Sequence, residues 1–258
     1  MRPPSSTVEL CAEAETFGPV KGFLEHLEDL RWMLLRCLLA VVLGMMLCLT
    51  IADDITALLL APLESLRADS TASAIPSLEQ RGPGTAFMVA MKAGLYGGIA
   101  MSLPILLLVV GTYLTPALKR AERNVLLRVM IAGTGLFLIG ATAAHQYVLP
   151  LILRASLQFS DWLGLSSTVW FIDDYAAMVL RMMIGLGLAA EMPVVLLALI
   201  RLRLVSVKYL RRGRPYAVIA NLVIAAMLTP TDIGSCLLLT LPLHALFELS
   251  LLLGSLVE

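Results

Sequence analysis

The sequence is poor in charged and aromatic residues and in the residue patterns that bind metals. Only 15% of its 258 residues are charged and 6% are aromatic, whereas 59% are hydrophobic. A soluble domain of this length cannot hide so much apolar surface. The sequence therefore predicts an all-α polytopic membrane protein, and its formal net charge of zero gives no indication of a nucleic-acid partner.

Patterns typical of enzymes and metal sites are missing. The four cysteines form no Cys-x-x-Cys pair and no ligand spacing with the three histidines. No phosphate loop or Ser/His/Asp arrangement occurs. We therefore expect no catalysis, no metal and no cofactor. A Cys48–Cys236 disulfide stays open beside the commoner interpretation, buried free thiols. Residues 1–22 lack the apolar core of a cleaved signal, which predicts a retained, disordered tail.

Long uncharged runs predict a membrane domain from residue 23 to 258 with six transmembrane helices. The last two are predicted to be short, since their uncharged runs hold 17 and 15 residues. Seventeen residues give about 25 Å of helix against a hydrocarbon core of about 30 Å. Pro62 falls in a predicted polar loop from Asp53 to about Ala86, and Pro116 closes the second span. The approximate spans are 31–52, 87–115, 125–150, 175–202, 215–230 and 233–253.

Two further patterns concern packing and orientation. Gly94 and Gly98 form a small-xxx-small step in the second span, which favours close approach of another helix. With both termini inside, fourteen Lys and Arg residues fall on the inner side and five on the outer side. The positive-inside rule therefore predicts cytoplasmic termini.

An acid lies in the middle of the fourth span. Nine uncharged residues precede Glu191 and nine follow it, which places the carboxyl near mid-membrane. A carboxylate at that depth costs several kcal/mol unless it is protonated, paired or facing a polar partner, so it indicates function. Pro193 weakens the helix ladder beside it. The alternative is a structural glutamate that is neutral and hydrogen-bonded to a neighbouring helix.

Seven short segments form a specific set in order and spacing. They are FLEHLEDLR (23–31), APL (61–63), PALKRAER (116–123), GLAAEMP (187–193), RPY (214–216), TPTD (229–232) and LFE (246–248). Together they resemble the TatC-type receptor subunit of the twin-arginine protein translocase. The resemblance implies a six-helix, cup-shaped bundle in the bacterial cytoplasmic (inner) membrane.

The resemblance also implies a function. Proteins of that family recognise the paired arginines of signal peptides on folded cargo proteins. With single-span TatA- and TatB-type partners, and with self-association in the receptor complex, they pass the cargo across the membrane using the proton-motive force. Such a protein is a receptor and scaffold and has no catalytic chemistry.

Several residues match the family's signal-peptide site. Glu122 matches its cytoplasmic-loop glutamate, and Asp29 would supply the second acid, within a motif that also holds His26 and Arg31. Guanidinium and carboxylate groups pair bidentately, and two adjacent arginines call for two acids. From the residues alone, the three cations that flank Glu122 favour an ordinary surface salt bridge.

Other matches fall within the membrane. Glu191 and Pro193 match the family's intramembrane Glu-x-Pro, which is expected to face the concave side and meet a polar residue of a partner helix. Thr229 and Asp232 match the place where the family docks a partner span, although both also suit helix caps. Cys236 stands in the same region, where a glutamine is common.

The sequence departs from the family pattern at further positions. Asp29 replaces a glutamate, Met33 an arginine and Ala190 a phenylalanine. The main alternative function is a proton- or ion-coupled small-solute transporter that uses Glu191 as its titrating group. A third is a structural membrane scaffold, which would bind no peptide.

Overall fold

The structure is a computed structural model that describes residues 23–68, 77–114, 120–164, 169–201, 205–229 and 233–256. Residues 1–22, Pro116 and Asp232 lie outside these described residues. The backbones of 23–26 and 120–129 are described within their helices, but their side chains are not, which applies to His26 and Glu122.

The described residues form helices and one small sheet. The long helices are α1 (Phe23–Thr50), α3 (Thr85–Leu114), α4 (Arg120–Ala143) with its continuation α5 (Leu149–Trp162), α6 (Ile172–Arg201) and α9 (Ile233–Ser255). The shorter ones are α2 (Ala52–Ala68), α7 (Val207–Arg212) and α8 (Arg214–Leu228). Strands β1 (Ser77–Glu79) and β2 (Val169–Phe171) pair in parallel, with Leu78 opposite Trp170.

Five segments of the described chain are long and apolar enough to cross a membrane, namely α1, α3, α4 with α5, α6 and α9. Helix α8, with 15 residues, is the shorter sixth. The predicted six-helix membrane fold is therefore confirmed. Helix α6 packs against α3, α4 and α9, while α1 packs mainly against α3 and α8 against α9. Because α6 contacts three long neighbours, its residues lie nearest the centre of the bundle.

The first close approach follows from the glycine step. A Cβ on Gly98 would lie 2.5 Å from the backbone nitrogen of Met45, and a Cβ on Gly44 would lie 2.7 Å from the carbonyl oxygen of Gly98. The two helices touch backbone to backbone there, as the Gly94/Gly98 pattern predicts. Cys48 and Cys236 are both free thiols, so the possible disulfide between them is absent.

One end of the bundle, which we call the cap end, carries α2 and the two strands. Leu59, Leu63 and Leu66 of α2 are buried in the main core. Their spacing of four and three residues is that of one helical face. The prediction of a polar loop from Asp53 to about Ala86 is therefore wrong for residues 53–68. Asp53 and Asp54 end the hydrophobic run, but they lie in the first turn of α2, where acids are stabilising.

Two other expectations also need correction. The last helix is not short: α9 has 23 residues and continues past Glu248, whose Oε2 accepts a hydrogen bond from Arg214 Nη2 at 2.7 Å. A paired carboxylate at the end of a span need not terminate the helix. The third span, predicted to end at 150, continues through a π-helical turn, Ala144–Val148, and stays helical to Trp162. Its outer charges lie on a helix and not in a loop.

Candidate functional site: the basic end and an intramembrane acid

The end of the bundle opposite the cap end is rich in Lys and Arg, and we call it the basic end. Helix α6 finishes there at Arg201, and α7 follows with its N-cap Ser206 accepting from the backbone N–H of Tyr209 at 3.3 Å. The other cations there are Lys208, Arg211, Arg212 and Arg214. This end therefore presents a concentrated positive charge.

The acids expected to bind a signal peptide lie at this same end. Asp29 is in the second turn of α1 and Glu122 is in the first turn of α4, and both helices begin at the basic end. Asp29 is half-buried and Arg31 is exposed. The backbone therefore brings both acidic positions to one side of the membrane, 93 residues apart in sequence.

Glu191 lies inside the protein. Its side chain is only 8% exposed, and its Oε1 has no hydrogen-bond partner among the described residues. It is ten residues from Arg181 and ten from Arg201, about 15 Å in each direction along α6. The acid is therefore at mid-span and largely buried by the neighbouring helices.

The helix faces beside Glu191 pack closely. A Cβ on Gly140 of α4 would lie 2.5 Å from the Cβ of Ala190, and a Cβ on Gly187 would lie 2.6 Å from the ring of Phe137. Pro193 is buried and, having no N–H, cannot donate to the carbonyl of Ala189. Glu191 thus lies on a helix that packs closely on one side and lacks one backbone hydrogen bond, between Ala189 and Pro193, at the acid itself.

An apolar cavity of about 590 Å³ adjoins this region between α4, α6 and α9. Ala190 and Pro193 line it, together with Pro242 of α9, but Glu191 does not. The cavity is therefore an apolar groove next to the acid, and the carboxyl is not part of its wall.

The predicted partner positions lie where α8 meets α9. Thr229 is 4% exposed and donates its hydroxyl to the Ala225 carbonyl at 2.9 Å. Cys236 is half-buried, with its Sγ 3.7 Å from the carbonyl oxygen of Leu222. Both side chains are thus engaged with helix α8 itself, and Thr229 also forms its C-cap.

Two polar features were missed by the sequence analysis. Asn221 of α8 is 3% exposed, and its Nδ2 has no partner among the described residues. The signal was available, because it is a lone asparagine in an uncharged run. His145, in the π-helical turn, has its Nε2 2.8 Å from the carbonyl oxygen of Leu58. That carbonyl is the one left without a helical donor by Pro62.

The described residues contain no group of three His, Cys, Asp or Glu side chains that could hold a metal. What they do contain is a bundle of apolar helices, an acid at mid-span and a basic end with two acidic positions. These features define a multi-pass membrane protein with charged groups at its ends and a single acid near the centre of the bundle.

Comparison with known proteins identifies which membrane protein family this is. The family model described as "Sec-independent protein translocase protein (TatC)" matches residues 25–242. The chain belongs to the TatC family. The TatC protein of Carboxydothermus hydrogenoformans is 31% identical over 235 residues, covering 91% of this chain and 93% of the relative. That of Magnetococcus marinus is 29% identical over 238 residues, covering 91% and 84%.

Other similarities are shorter or structural. The TatC protein of Akkermansia muciniphila is 35% identical over 173 residues, which is 67% of this chain but about half (49%) of that relative. A crystal structure of the twin-arginine translocase receptor TatC is 27% identical. It superposes with a TM-score of 0.80 and covers 90% of this chain and 98% of that one. The fold and family are thus those of a translocase receptor component of the inner membrane.

Proposed function

We propose that the basic end binds the twin-arginine signal peptides of folded cargo proteins. Glu122 and Asp29 supply the two carboxylates, and His26 and Arg31 flank the second. Each arginine can form two parallel N–H···O bonds with one carboxylate, which a lysine cannot do. The observation that carries this proposal is the family match over residues 25–242, which includes both acids on helices that begin at the same end.

The basic end is proposed to face the cytoplasm. Positively charged loops stay on the cytoplasmic side of the membrane, and the short segment from Arg201 to Arg214 holds six cations. The chain termini then both lie in the cytoplasm, and the cap end faces outward. A signal peptide on newly folded cargo would meet Glu122 and Asp29 from the side on which cargo is made.

Transport is proposed to need single-span TatA- and TatB-type partners and the proton-motive force, with self-association of this chain in the receptor complex. Glu191 and Pro193 would form the intramembrane contact, and Thr229, Asp232 and Cys236 the seam at α8 and α9. A buried carboxyl oxygen without a partner among the described residues supports this role, because a polar group from outside would satisfy it.

The transporter alternative has less support from the structure. It requires Glu191 to line a closed site near the midplane where a solute can bind. Glu191 lines neither of the two described cavities, and the cavity beside it has an almost entirely apolar wall. No observation therefore favours a solute site around this acid.

The proposal is tested by photo-cross-linking in membranes. A photoreactive residue replaces Ala121, next to Glu122, so that the carboxylate stays in place. Signal peptides carrying Arg-Arg or Lys-Lys are then added. We expect capture of the Arg-Arg peptide alone, and loss of that capture in Glu122→Gln and Asp29→Asn variants.

A matched control comes from the exposed acid next to Asp29. Glu28→Gln removes the same charge from the same turn of α1, and capture should persist in that variant. Equal capture of both peptides would reduce the contact to nonspecific attraction. Capture of neither would favour the structural scaffold.

A further inference from the structure

A cavity of about 480 Å³ lies at the cap end between α5, β2, α6 and the end of α8. It differs from the apolar cavity near Glu191 because half of the residues that line it are polar. The polar residues that line it are Ser156, Ser160, Asp174, Tyr175, Arg181 and Thr229.

Three of these side chains are already committed to partners in the protein. The carboxylate of Asp174 pairs with Arg81 Nη2, and the same guanidinium also pairs with Asp173 at 3.6 Å, so the two acids share one cation. The Tyr175 hydroxyl donates to a carbonyl of α2 at 3.0 Å, and the Thr229 hydroxyl donates to a carbonyl of α8 at 2.9 Å. None of the three has a hydrogen left for a ligand.

The other three polar side chains retain donors. Arg181 uses its Nε–H on the Ala177 carbonyl at 3.0 Å, but its terminal Nη groups have no partner among the described residues. The hydroxyls of Ser156 and Ser160 likewise have no partner in the described part of the chain, and their spacing of four puts them on one face of α5. The unused groups are one guanidinium and two hydroxyls, a set suited to an anion.

The position of Arg181 along α6 indicates the depth of these three donor side chains in the membrane. Twenty residues separate Arg181 from Arg201, which is about 30 Å of helix. The hydrocarbon core of a bilayer is also about 30 Å thick. With Arg201 at one boundary of the hydrocarbon, Arg181 falls at the other, where its long side chain reaches the layer of the lipid phosphates.

Helix α8 ends below that depth. The side chain of Leu228, its last residue, packs on Gly185 and leaves no room for a Cβ there. Gly185 is one turn deeper in the membrane than Arg181. At the level of Arg181, which is itself exposed, there is therefore no α8 to cover α6. The cavity begins where α8 stops, with Thr229 in its floor.

We propose that this cavity binds the phosphate diester of an anionic phospholipid from the leaflet at the cap end. The Nη groups of Arg181 hold the phosphate as a charge-assisted pair, and Ser156 and Ser160 donate to the remaining oxygens. The glycerol lies beside Thr229 in the floor, and the acyl chains leave the cavity over the end of α8 toward the hydrocarbon. The occupant is a lipid and not a free anion because Arg181 lies at the edge of the hydrocarbon core and no part of α8 separates it from the bilayer.

The test is lipid binding to the purified full-length chain in detergent, followed by native mass spectrometry with phosphatidylglycerol. Arg181→Gln should bind the first lipid about tenfold more weakly, the scale of one charge-assisted hydrogen bond. Lys92→Gln is the matched control, since Lys92 is a cation near the same end of α3 that does not line the cavity. That variant should bind as the unmodified protein does.

Other arms separate the possible ligands. Diacylglycerol, which lacks the phosphate, should not compete, and neither should inorganic phosphate at the concentrations at which phosphatidylglycerol binds. Competition by diacylglycerol would show that the cavity is only an apolar groove. Competition by inorganic phosphate would show that it is a site for free anions. Either result would overturn the proposal. If Arg181→Gln does not fold, Arg181→Lys replaces it in the test. This variant should bind phosphatidylglycerol several-fold more weakly because it lacks the planar guanidinium that forms two parallel hydrogen bonds. Unchanged binding in both variants would also overturn it.

Discussion

The attachment of α1 depends on the glycine contact with α3, and one methyl group should disrupt it. Helix α1 packs mainly against α3, and its most apolar stretch is only 6% buried within the protein. At Gly98 an added Cβ would lie 2.5 Å from the nitrogen of Met45 and 2.8 Å from its Cα. Both atoms belong to the backbone, so no rotamer change can make room.

Gly98→Ala should therefore move α1 away from α3. An ordinary contact of a Cβ with a backbone atom begins at about 3.4 Å, so the helices must separate by about 1 Å. Overpacking of this kind costs on the order of 1–3 kcal/mol. Because the other contacts of α1 are few, we expect most of this cost to appear as weaker docking of α1.

A designed disulfide measures that docking. A Cβ on Gly97 would lie 3.5 Å from the Cβ of Cys48, within the range of disulfides. In a Gly97→Cys variant without the other native cysteines, mild oxidation should join residues 97 and 48. Adding Gly98→Ala should lengthen the Cβ–Cβ distance to about 4.5 Å, the upper limit for a disulfide, and reduce the yield.

Gly135→Ala is the control for the same chemical change. A Cβ there meets nothing within 4 Å, so this variant should keep the disulfide yield and be slightly more stable, by about 0.5–1 kcal/mol. The reasoning is refuted if Gly98→Ala and Gly135→Ala give the same yield and the same midpoint of thermal unfolding.

Three further predictions concern other contacts. His145→Phe should lower the free energy of unfolding by about 1 kcal/mol, because the carbonyl of Leu58 loses its partner. In a Pro62→Ala background the backbone N–H of residue 62 is restored, so the same change should cost less. Equal losses in the two backgrounds would contradict this. Arg81→Gln should lower the free energy of unfolding by about 1–3 kcal/mol, because the Asp173 carboxylate is only 14% exposed and loses its cation. The variant should also speed amide exchange in β1 and β2 relative to Asp161→Asn. Glu191→Ala should leave signal-peptide capture intact and block transport. Glu191→Gln keeps a hydrogen-bonding group and should still transport if the carboxyl acts only as such a group. Unimpaired export by Glu191→Ala would show that Glu191 has a structural role only.

The spans could be predicted from the sequence because each depends on local composition. Long uncharged runs, the short run of α8 and the glycine step of α3 are all visible within about 30 residues. Helix α2 was missed for a related reason: its acids and its position between spans made it look polar, while its leucines follow a helical period. Counting the spacing of Leu59, Leu63 and Leu66 would have found it.

The cap-end contacts could not be predicted because they join residues far apart in the chain. Arg81 meets Asp174 across 93 residues and stacks on Phe171, with its guanidinium carbon 4.3 Å from the ring centre. Strand β1 pairs with β2 over a similar separation. No local pattern marks two three-residue strands as partners. The cavity with Arg181 is likewise formed by three separate helices, so its polar set becomes visible only in the fold.

Two prolines within helices show why Glu191 is the better candidate for an external partner. At Pro62 the freed carbonyl of Leu58 has a replacement partner, His145 Nε2, supplied by a π-helical turn that adds a residue to the third span. At Pro193 the freed carbonyl of Ala189 has no side-chain donor among the described residues, and Glu191 Oε1 has no partner there either. The fold thus satisfies the first defect internally and leaves the second open. An unsatisfied pair of polar groups in a membrane interior is costly, and a polar residue of a docked helix would remove that cost.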